Sequence, residues 1–172
     1  MLSLAFKRIA ILGLTWTCFA CSTSSAPAAP AAVSIANEPA GTIIVRTRQR
    51  RLFLVVDAGH TISYPVGVGR AGKQWSGESY IKSKHLRPAW SPPAEIRRDR
   101  PSIPGVIAAG APNNPMGAAA LVLADGEYAI HGTNAPSSIG GFVSYGCIRM
   151  YNRDVLDLYK RVSVGTRVIV TP

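Results

Sequence analysis

The residues best suited to covalent chemistry lie in one stretch of the chain, from His131 to Arg149. It contains Cys147, the only cysteine outside the N-terminal segment, and His131, one of 3 histidines. A cysteine nucleophile requires a nearby base, backbone N–H groups that stabilise an oxyanion, and space for the substrate. Glycines and small hydroxyl residues surround both side chains, and glycines let a backbone approach a ligand closely. The stretch therefore predicts thiol catalysis, with segment 141–144 as a short strand that returns Cys147 towards His131.

The setting of Cys147 also favours a functional thiol. Without the N-terminal segment, Cys147 has no partner for an intramolecular disulfide. A lone thiol in an oxidising compartment is either buried and inert or functional. A buried structural cysteine is the simpler interpretation of Cys147, but the neighbouring Ser-Tyr-Gly at 144–146 favours a functional thiol.

The N-terminus has the features of an export signal. Lys7 and Arg8 precede an apolar run of 12 residues, 9–20, which small residues follow. This pattern is typical of a secretory signal peptide, and the run is shorter than the ~20 residues that span a bilayer. We interpret 1–21 as the signal.

Residues 22–40, rich in Ala, Pro and Ser, are predicted to form a disordered tether, followed by one catalytic domain at 41–172. Two fates of the N-terminus stay open. One is lipidation of Cys21, although the preceding Cys-Phe-Ala matches the usual lipoprotein pattern poorly. The other is simple cleavage near Ala20 or Ala26. Both predict export, and the only membrane contact expected is through lipid on Cys21.

Charge and composition restrict the class of partner. The 172-residue chain carries a net charge of +10, and beyond the leader 17 basic residues face 9 acidic ones, or +8. Such an excess favours anionic surroundings: nucleic acid, acidic lipid or an acidic cell-wall polymer. The basic residues form neither a basic helix nor an aromatic-interleaved platform, so we expect no nucleic-acid partner. Three scattered histidines and one cysteine give no zinc-type spacing, and no metal or cofactor is expected.

The hydrophobic pattern predicts a mainly β domain. A meander is predicted from three segments rich in β-branched residues, 42–46, 51–56 and 61–68. A hairpin is predicted from segments 118–123 and 128–131, which the Asp125-Gly126 turn joins. His131 then ends a strand. A short helix is predicted at 153–162, capped by Asn152 or Asp154, with Val155, Leu158 and Val162 on its apolar face, and 166–170 closes as a strand.

Segment 69–117 is predicted to be mostly irregular, because seven prolines interrupt it. So long a loop is usually functional. Trp75, Tyr80 and Trp90 are expected to anchor it or to line a groove, with packing the expected role for at least two of them. His60 and His85 are expected to be solvated surface residues.

Several motifs stand in order along the chain: Ile-His-Gly-Thr-Asn-Ala-Pro at 130–136, Ser-Tyr-Gly-Cys-Ile-Arg-Met at 144–150, Trp-Ser-Pro-Pro at 90–93, Pro-Asn-Asn-Pro-Met-Gly at 112–117 and Gly-Thr-Arg-Val at 165–168. In them the chain resembles the L,D-transpeptidase catalytic domain of the YkuD type, and its periplasmic branch in Gram-negative bacteria. The resemblance covers roughly 41–172. It implies a β-sandwich-like fold, a periplasmic location, and acyl transfer on peptidoglycan stem peptides through a cysteine thioester that carbapenems would also form.

The resemblance also implies roles for single residues. Cys147 is the nucleophile and His131 its base, needed because a free cysteine of pKa ~8.5 is only a few per cent thiolate at neutral pH. The backbone N–H groups of Tyr145, Gly146 and Cys147 are the expected oxyanion donors. The expected orienting residues are Thr133 and Ser144, whose simpler reading is local backbone capping. The expected substrate-binding residues are Arg149, Trp90 and Asn134.

Two points stay open at this stage. The position before Gly-Cys is histidine in much of the family, and here it is Tyr145, so the base must be His131. Arg149 either binds the diaminopimelate carboxylate, which suits its planar fork, or forms a structural ion pair, with Asp154 as a candidate partner.

The acceptor of the acyl group is also open. It is a second diaminopimelate (a 3-3 crosslink), an outer-membrane lipoprotein lysine, a D-amino acid, or water. Water would make the protein an L,D-carboxypeptidase or hydrolase. A non-catalytic peptidoglycan-binding envelope protein is the alternative from another class.

Overall fold

The protein is described by a computed structural model that covers residues 35–124 and 128–172. The predicted signal, most of the predicted tether, Cys21 and the Asp125-Gly126 turn lie outside the described residues. Residues 35–40, predicted as the end of the tether, contain a 3-10 turn at Ile35–Asn37. The Glu38 carboxylate accepts from Arg167 Nη1 at 2.6 Å, which ties this segment to the domain.

The described residues form a mainly β domain, as predicted. The strands are β1 (Ile43–Arg46), β2 (Arg51–Asp57), β3 (His60–Pro65), β4 (Val68–Gly69), β5 (Gly77–Leu86), β6 (Ala119–Leu123), β7 (Ala129–His131), β8 (Phe142–Ser144), β9 (Ile148–Arg149) and β10 (Arg167–Thr171), and the helices are α1 (Ala94–Asp99) and α2 (Asn152–Arg161). Eight strands form one mixed sheet in the order β3-β2-β1-β10-β5-β6-β7-β9, and β4 pairs with β8 in a separate parallel pair.

The predicted meander and hairpin are both present. β1, β2 and β3 pair antiparallel in sequence order, and so do β6 and β7. Ile43, Ile44 and Val45 are fully buried, because β1 lies inside the sheet between β2 and the parallel β10. A strand covered on both faces is a continuous apolar run rather than an alternating one.

The prediction that 69–117 is mostly irregular was wrong for β5, a ten-residue strand. Within β5 only Ser79 and Ile81 are buried, and the register shifts between Ile81 and Ser83. The strand therefore lacks the period-2 apolar pattern that predicts strands. It is held instead by backbone pairing to β10 on one side and β6 on the other. Lys84 adds two hydrogen bonds from its ammonium to carbonyls of Tyr159 and Val162.

The prediction that prolines exclude a helix from this region was also wrong. α1 begins after Pro93, which takes the N-cap position, and ends before Pro101. Proline is tolerated at the start of a helix, where its missing N–H has no intrahelical partner in any case. The prolines therefore delimit α1 instead of interrupting it.

α2 confirms the predicted helix, shifted by one residue. Val155, Leu158 and Val162 are buried in the core as predicted, and the helix packs across β6 and β7. The predicted cap was wrong: Tyr151 is the N-cap residue and makes no side-chain capping bond. Neither helix in the described ranges is long and apolar enough to cross a membrane.

The three aromatic residues of the long connection have different environments. Trp75 packs against the core and stacks on Tyr128, with ring centroids 5.1 Å apart. Trp90 lines a large cavity, described below with the candidate active site. Tyr80 is 53% exposed on β5 and does not line the cavity, so the expectation that it anchors the connection or lines a groove was wrong. The surface positions expected for His60 and His85 are confirmed, since both are exposed.

Candidate active site

The strand register brings the predicted nucleophile and base to one cavity. β7 and β9 are parallel neighbours in which Ile130 pairs with Ile148 and His131 with Arg149. Because side chains alternate between the faces of a strand, the two isoleucines enter the core while the residues on either side face the other way. His131, Arg149 and Cys147 accordingly line a cavity of about 1130 Å³. The β7-to-β9 connection thus carries Cys147 back beside the strand that ends in His131.

His131 is buried and its ring is oriented by backbone. Nδ1 lies 2.7 Å from the Gly132 carbonyl oxygen. A carbonyl only accepts, so Nδ1 carries the proton in this contact and Nε2 is the basic nitrogen of the neutral ring. The pKa of His131 is lowered to about 4, chiefly by burial and further by the Arg149 charge, while hydrogen bonds to the Gly132 and Pro115 carbonyls oppose the shift. His131 is therefore neutral at physiological pH and competent to accept a proton.

This depressed pKa predicts a loss of stability in acid. The histidine pKa of 6.5 in the unfolded chain falls to about 4 in the folded protein. Between these values the unfolded state binds a proton that the folded state does not, so the free energy of unfolding falls as pH decreases. From pH 7 to pH 4.5 we expect His131 to contribute a loss of about 2–3 kcal/mol.

Urea denaturation at the two pH values, compared with His131→Gln, measures this contribution. Between pH 7 and pH 4.5 the free energy of unfolding of His131→Gln should fall by about 2–3 kcal/mol less than that of the wild type. His85→Gln, at an exposed position, should lose as much as the wild type. Equal losses in all three proteins would contradict a depressed pKa at His131.

The turn before Cys147 is fixed by Ser144. Its buried hydroxyl donates to the Cys147 carbonyl at 2.6 Å and accepts from the Gly146 N–H at 3.1 Å. Ser144 thus closes the turn that presents Cys147. The Gly146 N–H, one of three expected oxyanion donors, is engaged by this hydroxyl.

Gly146 holds a conformation that other residues rarely adopt. Its φ is +124°, and its carbonyl accepts from Trp75 Nε1 at 2.9 Å. A Cβ at this position would collide with the Tyr128 ring, which is stacked on Trp75. The two aromatic rings therefore form a wall that only glycine fits at the turn before Cys147.

Replacing Gly146 with alanine is expected to lower the free energy of unfolding by about 2–4 kcal/mol, combining a backbone penalty with displacement of the Tyr128 ring. Gly72→Ala is the matched control, because Gly72 also has a positive φ, +74°, but no atom within 4 Å of its Cβ position. Its loss should be about 1–2 kcal/mol. Urea denaturation measures both, and equal losses would show that the Tyr128 contact contributes nothing.

Arg149 places a cation in the site without a carboxylate partner among the described residues. Its Nε is buried and makes no hydrogen bond to any described residue. Burial lowers its pKa, a negative charge on Cys147 would raise it, and Arg100 lowers it. Arg149 forms no ion pair with Asp154. The Asp154 carboxylate oxygen Oδ1 lies 3.3 Å from Arg153 Nε instead. Arg149 is therefore positioned to attract an anion to the cavity.

The residues after His131 are held by α2 in a way that the sequence did not reveal. Asn152, predicted as a helix cap, accepts from the N–H groups of Ala118 and Thr133 and donates to the Thr133 carbonyl, all at 3.0 Å. The Thr133 hydroxyl accepts from the Ala135 N–H at 3.0 Å. This contact corresponds to local backbone capping, the simpler of the two roles considered for Thr133. Asn134 is exposed and lines the cavity.

Asn114 is a second structural residue that was missed. It is buried, donates to the carbonyls of Pro88 and Ala108, and accepts from the Met116 N–H. These bonds fold the segment that carries Trp90 and Pro115 along the cavity. The only sequence signal was its place in the Pro-Asn-Asn-Pro motif.

Solved structures show the same fold. L,D-transpeptidase 3 from Mycobacterium tuberculosis in complex with a faropenem-derived adduct aligns with a TM-score of 0.60 at 18% identity, covering 78% of this chain and 61% of that chain. The Enterococcus faecium L,D-transpeptidase catalytic domain acylated by ertapenem aligns with a TM-score of 0.58 at 16% identity, covering 76% and 95%. The fold is that of the L,D-transpeptidases.

Sequence comparison shows the family. The YkuD model, described as the L,D-transpeptidase catalytic domain, matches residues 40–170. The probable L,D-transpeptidase YbiS of Escherichia coli K12 is 39% identical over 135 residues, 73% of this chain and 43% of YbiS. The probable L,D-transpeptidase YcfS of the same organism is 33% identical over 149 residues, 81% and 46%. The chain belongs to the YkuD family and spans less than half the length of these two relatives.

Proposed function

We propose that the protein is a cysteine-dependent L,D-transpeptidase that acts on peptidoglycan tetrapeptide stems through a thioester. The observation that carries this proposal is that His131, at the end of β7, and Cys147, directly before β9, line the same large cavity. Membership of the YkuD family supports it. The thioester site would also accept carbapenems, by analogy with the E. faecium catalytic domain acylated by ertapenem.

In the first half-reaction His131 Nε2 takes the thiol proton and the Cys147 sulfur attacks the amide carbonyl after the L-centre of diaminopimelate. The proposed donors to the tetrahedral oxyanion are the backbone N–H groups of Tyr145 and Cys147, since the Ser144 hydroxyl already accepts from that of Gly146. The C–N bond then breaks, the imidazolium gives its proton to the leaving amine, and D-Ala departs. A thioester on Cys147 remains.

In the second half-reaction an acceptor amine attacks the thioester carbonyl while His131 removes its proton. Collapse forms the new amide, and the thiolate regains its proton from the imidazolium. With water as acceptor the same steps release a tripeptide, which is the carboxypeptidase alternative. The proposed acceptors are diaminopimelate, giving a 3-3 crosslink, or another amine such as a lipoprotein lysine.

The substrate contacts of the proposal come from the cavity wall. Arg149 is the proposed partner of the diaminopimelate carboxylate, since it is partly buried and its Nε makes no hydrogen bond to a described residue, and guanidinium pairs with carboxylate in planar geometry. Trp90 and Asn134 line the same cavity and are proposed to contact the stem. The substrate implies a periplasmic location, and the export signal predicted at 1–21 agrees with it.

Analysis of products from purified muropeptides tests the proposal. Incubation with disaccharide tetrapeptide should yield crosslinked dimers whose mass corresponds to loss of one D-Ala per bond. Tripeptides alone would establish the hydrolase alternative. No product, with sacculus binding that Cys147→Ala leaves unchanged, would indicate the non-catalytic binding protein.

A further inference from the structure

Helix α1 forms part of the cavity wall, and none of its own residues is fully buried. Ala94, Ile96 and Arg97 line the cavity, as do the flanking Pro93 and Arg100. A six-residue helix gains little stability of its own, since short helices depend on tertiary packing. Its polar contacts are therefore expected to contribute much of what holds α1 over the cavity.

Those contacts converge on Asp99, the last residue of α1. Its Oδ2 accepts from the Tyr145 hydroxyl at 2.6 Å and from Arg70 Nη2 at 3.0 Å. The Arg70 guanidinium also lies 3.9 Å from the centroid of the Tyr145 ring. Both donors hold the pKa of Asp99 below its usual range, the Tyr145 hydrogen bond most strongly. At the other end of the helix Glu95 forms an ion pair with Lys73.

Tyr145 thereby joins two walls of the cavity. Its backbone belongs to the turn that Ser144 closes before Cys147, while its hydroxyl is bonded to the far wall. We propose that Tyr145 is a positioning residue that holds α1 over the cavity through Asp99 and Arg70. Tyr145 then sets the affinity for the stem peptide rather than the reactivity of Cys147. This rests on the proposed function.

The test compares Tyr145→Phe and Asp99→Asn with a matched control, Tyr64→Phe. Tyr64 makes the same kind of contact, donating to Asp157 at 2.6 Å beside Arg161, but this cluster joins β3 to α2 and does not line the cavity. Three quantities are measured: amide hydrogen exchange over 94–100, KM and kcat with disaccharide tetrapeptide, and the rate of Cys147 alkylation by iodoacetamide.

Both cavity variants should exchange faster in α1 and show a KM raised about threefold to tenfold, the range for loss of one hydrogen bond. kcat and alkylation should stay within about twofold, because uniform binding changes KM alone. The double variant should be no worse than either single one. Tyr64→Phe should leave α1 exchange and KM unchanged.

Unchanged exchange in α1 would overturn the proposal, and so would faster exchange with an unchanged KM. Slower alkylation in Tyr145→Phe would also overturn it, by placing the hydroxyl in the chemistry. If the wild type does not turn over the tetrapeptide, the proposed function fails on its own, and the exchange measurement still decides whether Tyr145 holds α1.

Discussion

Cys147→Ala is expected to abolish covalent labelling by a carbapenem and to reduce acyl transfer by on the order of 10⁴-fold or more, because removal of a nucleophile eliminates the covalent route. Cys147 is the one cysteine among the described residues, and it lines the cavity that His131 also lines. Intact mass after incubation with ertapenem, with rates of crosslink formation, measures both effects.

Cys147→Ser is the matched control for the chemistry, since it keeps the shape of the side chain and raises the pKa of the nucleophile far above that of a thiol. It should form no thioester and retain less than about 1% of the transfer rate. Circular dichroism and urea denaturation should show both variants folded. A carbapenem adduct on folded Cys147→Ala would place the nucleophile elsewhere.

His131→Ala is expected to slow both the alkylation of Cys147 and acyl transfer by about 10²–10⁴-fold, the usual contribution of a general base. The structure supplies the reason: the ring is buried, held by the Gly132 carbonyl, and neutral because its pKa is lowered to about 4. The rate of iodoacetamide reaction at pH 7 is the most direct readout, since it needs no substrate.

His85→Ala is the control for loss of a histidine, because His85 is exposed on β5 and does not line the cavity. It should react at the wild-type rate, and Tyr145→Phe should retain most of the reactivity. If Cys147 lost its reactivity towards iodoacetamide in Tyr145→Phe but kept it in His131→Ala, Tyr145 rather than His131 would be the residue that activates the thiol.

The proposed catalytic pair, Cys147 and His131, could be chosen from the sequence because its signal is local. A cysteine and a histidine in a stretch rich in glycine and hydroxyl residues indicate thiol chemistry from the residue types alone. The hydrophobic runs on either side predict the strands that hold them. The burial of Val155 and Leu158 follows from helical spacing in the same way. Family resemblance then added the reaction, which residue types alone do not specify.

The residues that support the pair could not be predicted, because their partners are distant in the chain. Asn152 looked like a helix cap, and its bonds to Ala118 and Thr133 exist only once α2 has packed. Asp99 is 46 residues from Tyr145. β5 lacked an apolar alternation since its faces are largely exposed. Long-range polar contacts leave no periodic trace in a sequence.

We propose that Cys147 carries the acyl group of a peptidoglycan stem, and the intact mass of the purified protein would reveal that group. After brief incubation with disaccharide tetrapeptide we expect an adduct equal to the substrate less D-Ala, bound as a hydroxylamine-sensitive thioester and absent in Cys147→Ala. A folded protein that forms neither this adduct nor a crosslinked or trimmed product would contradict the claim.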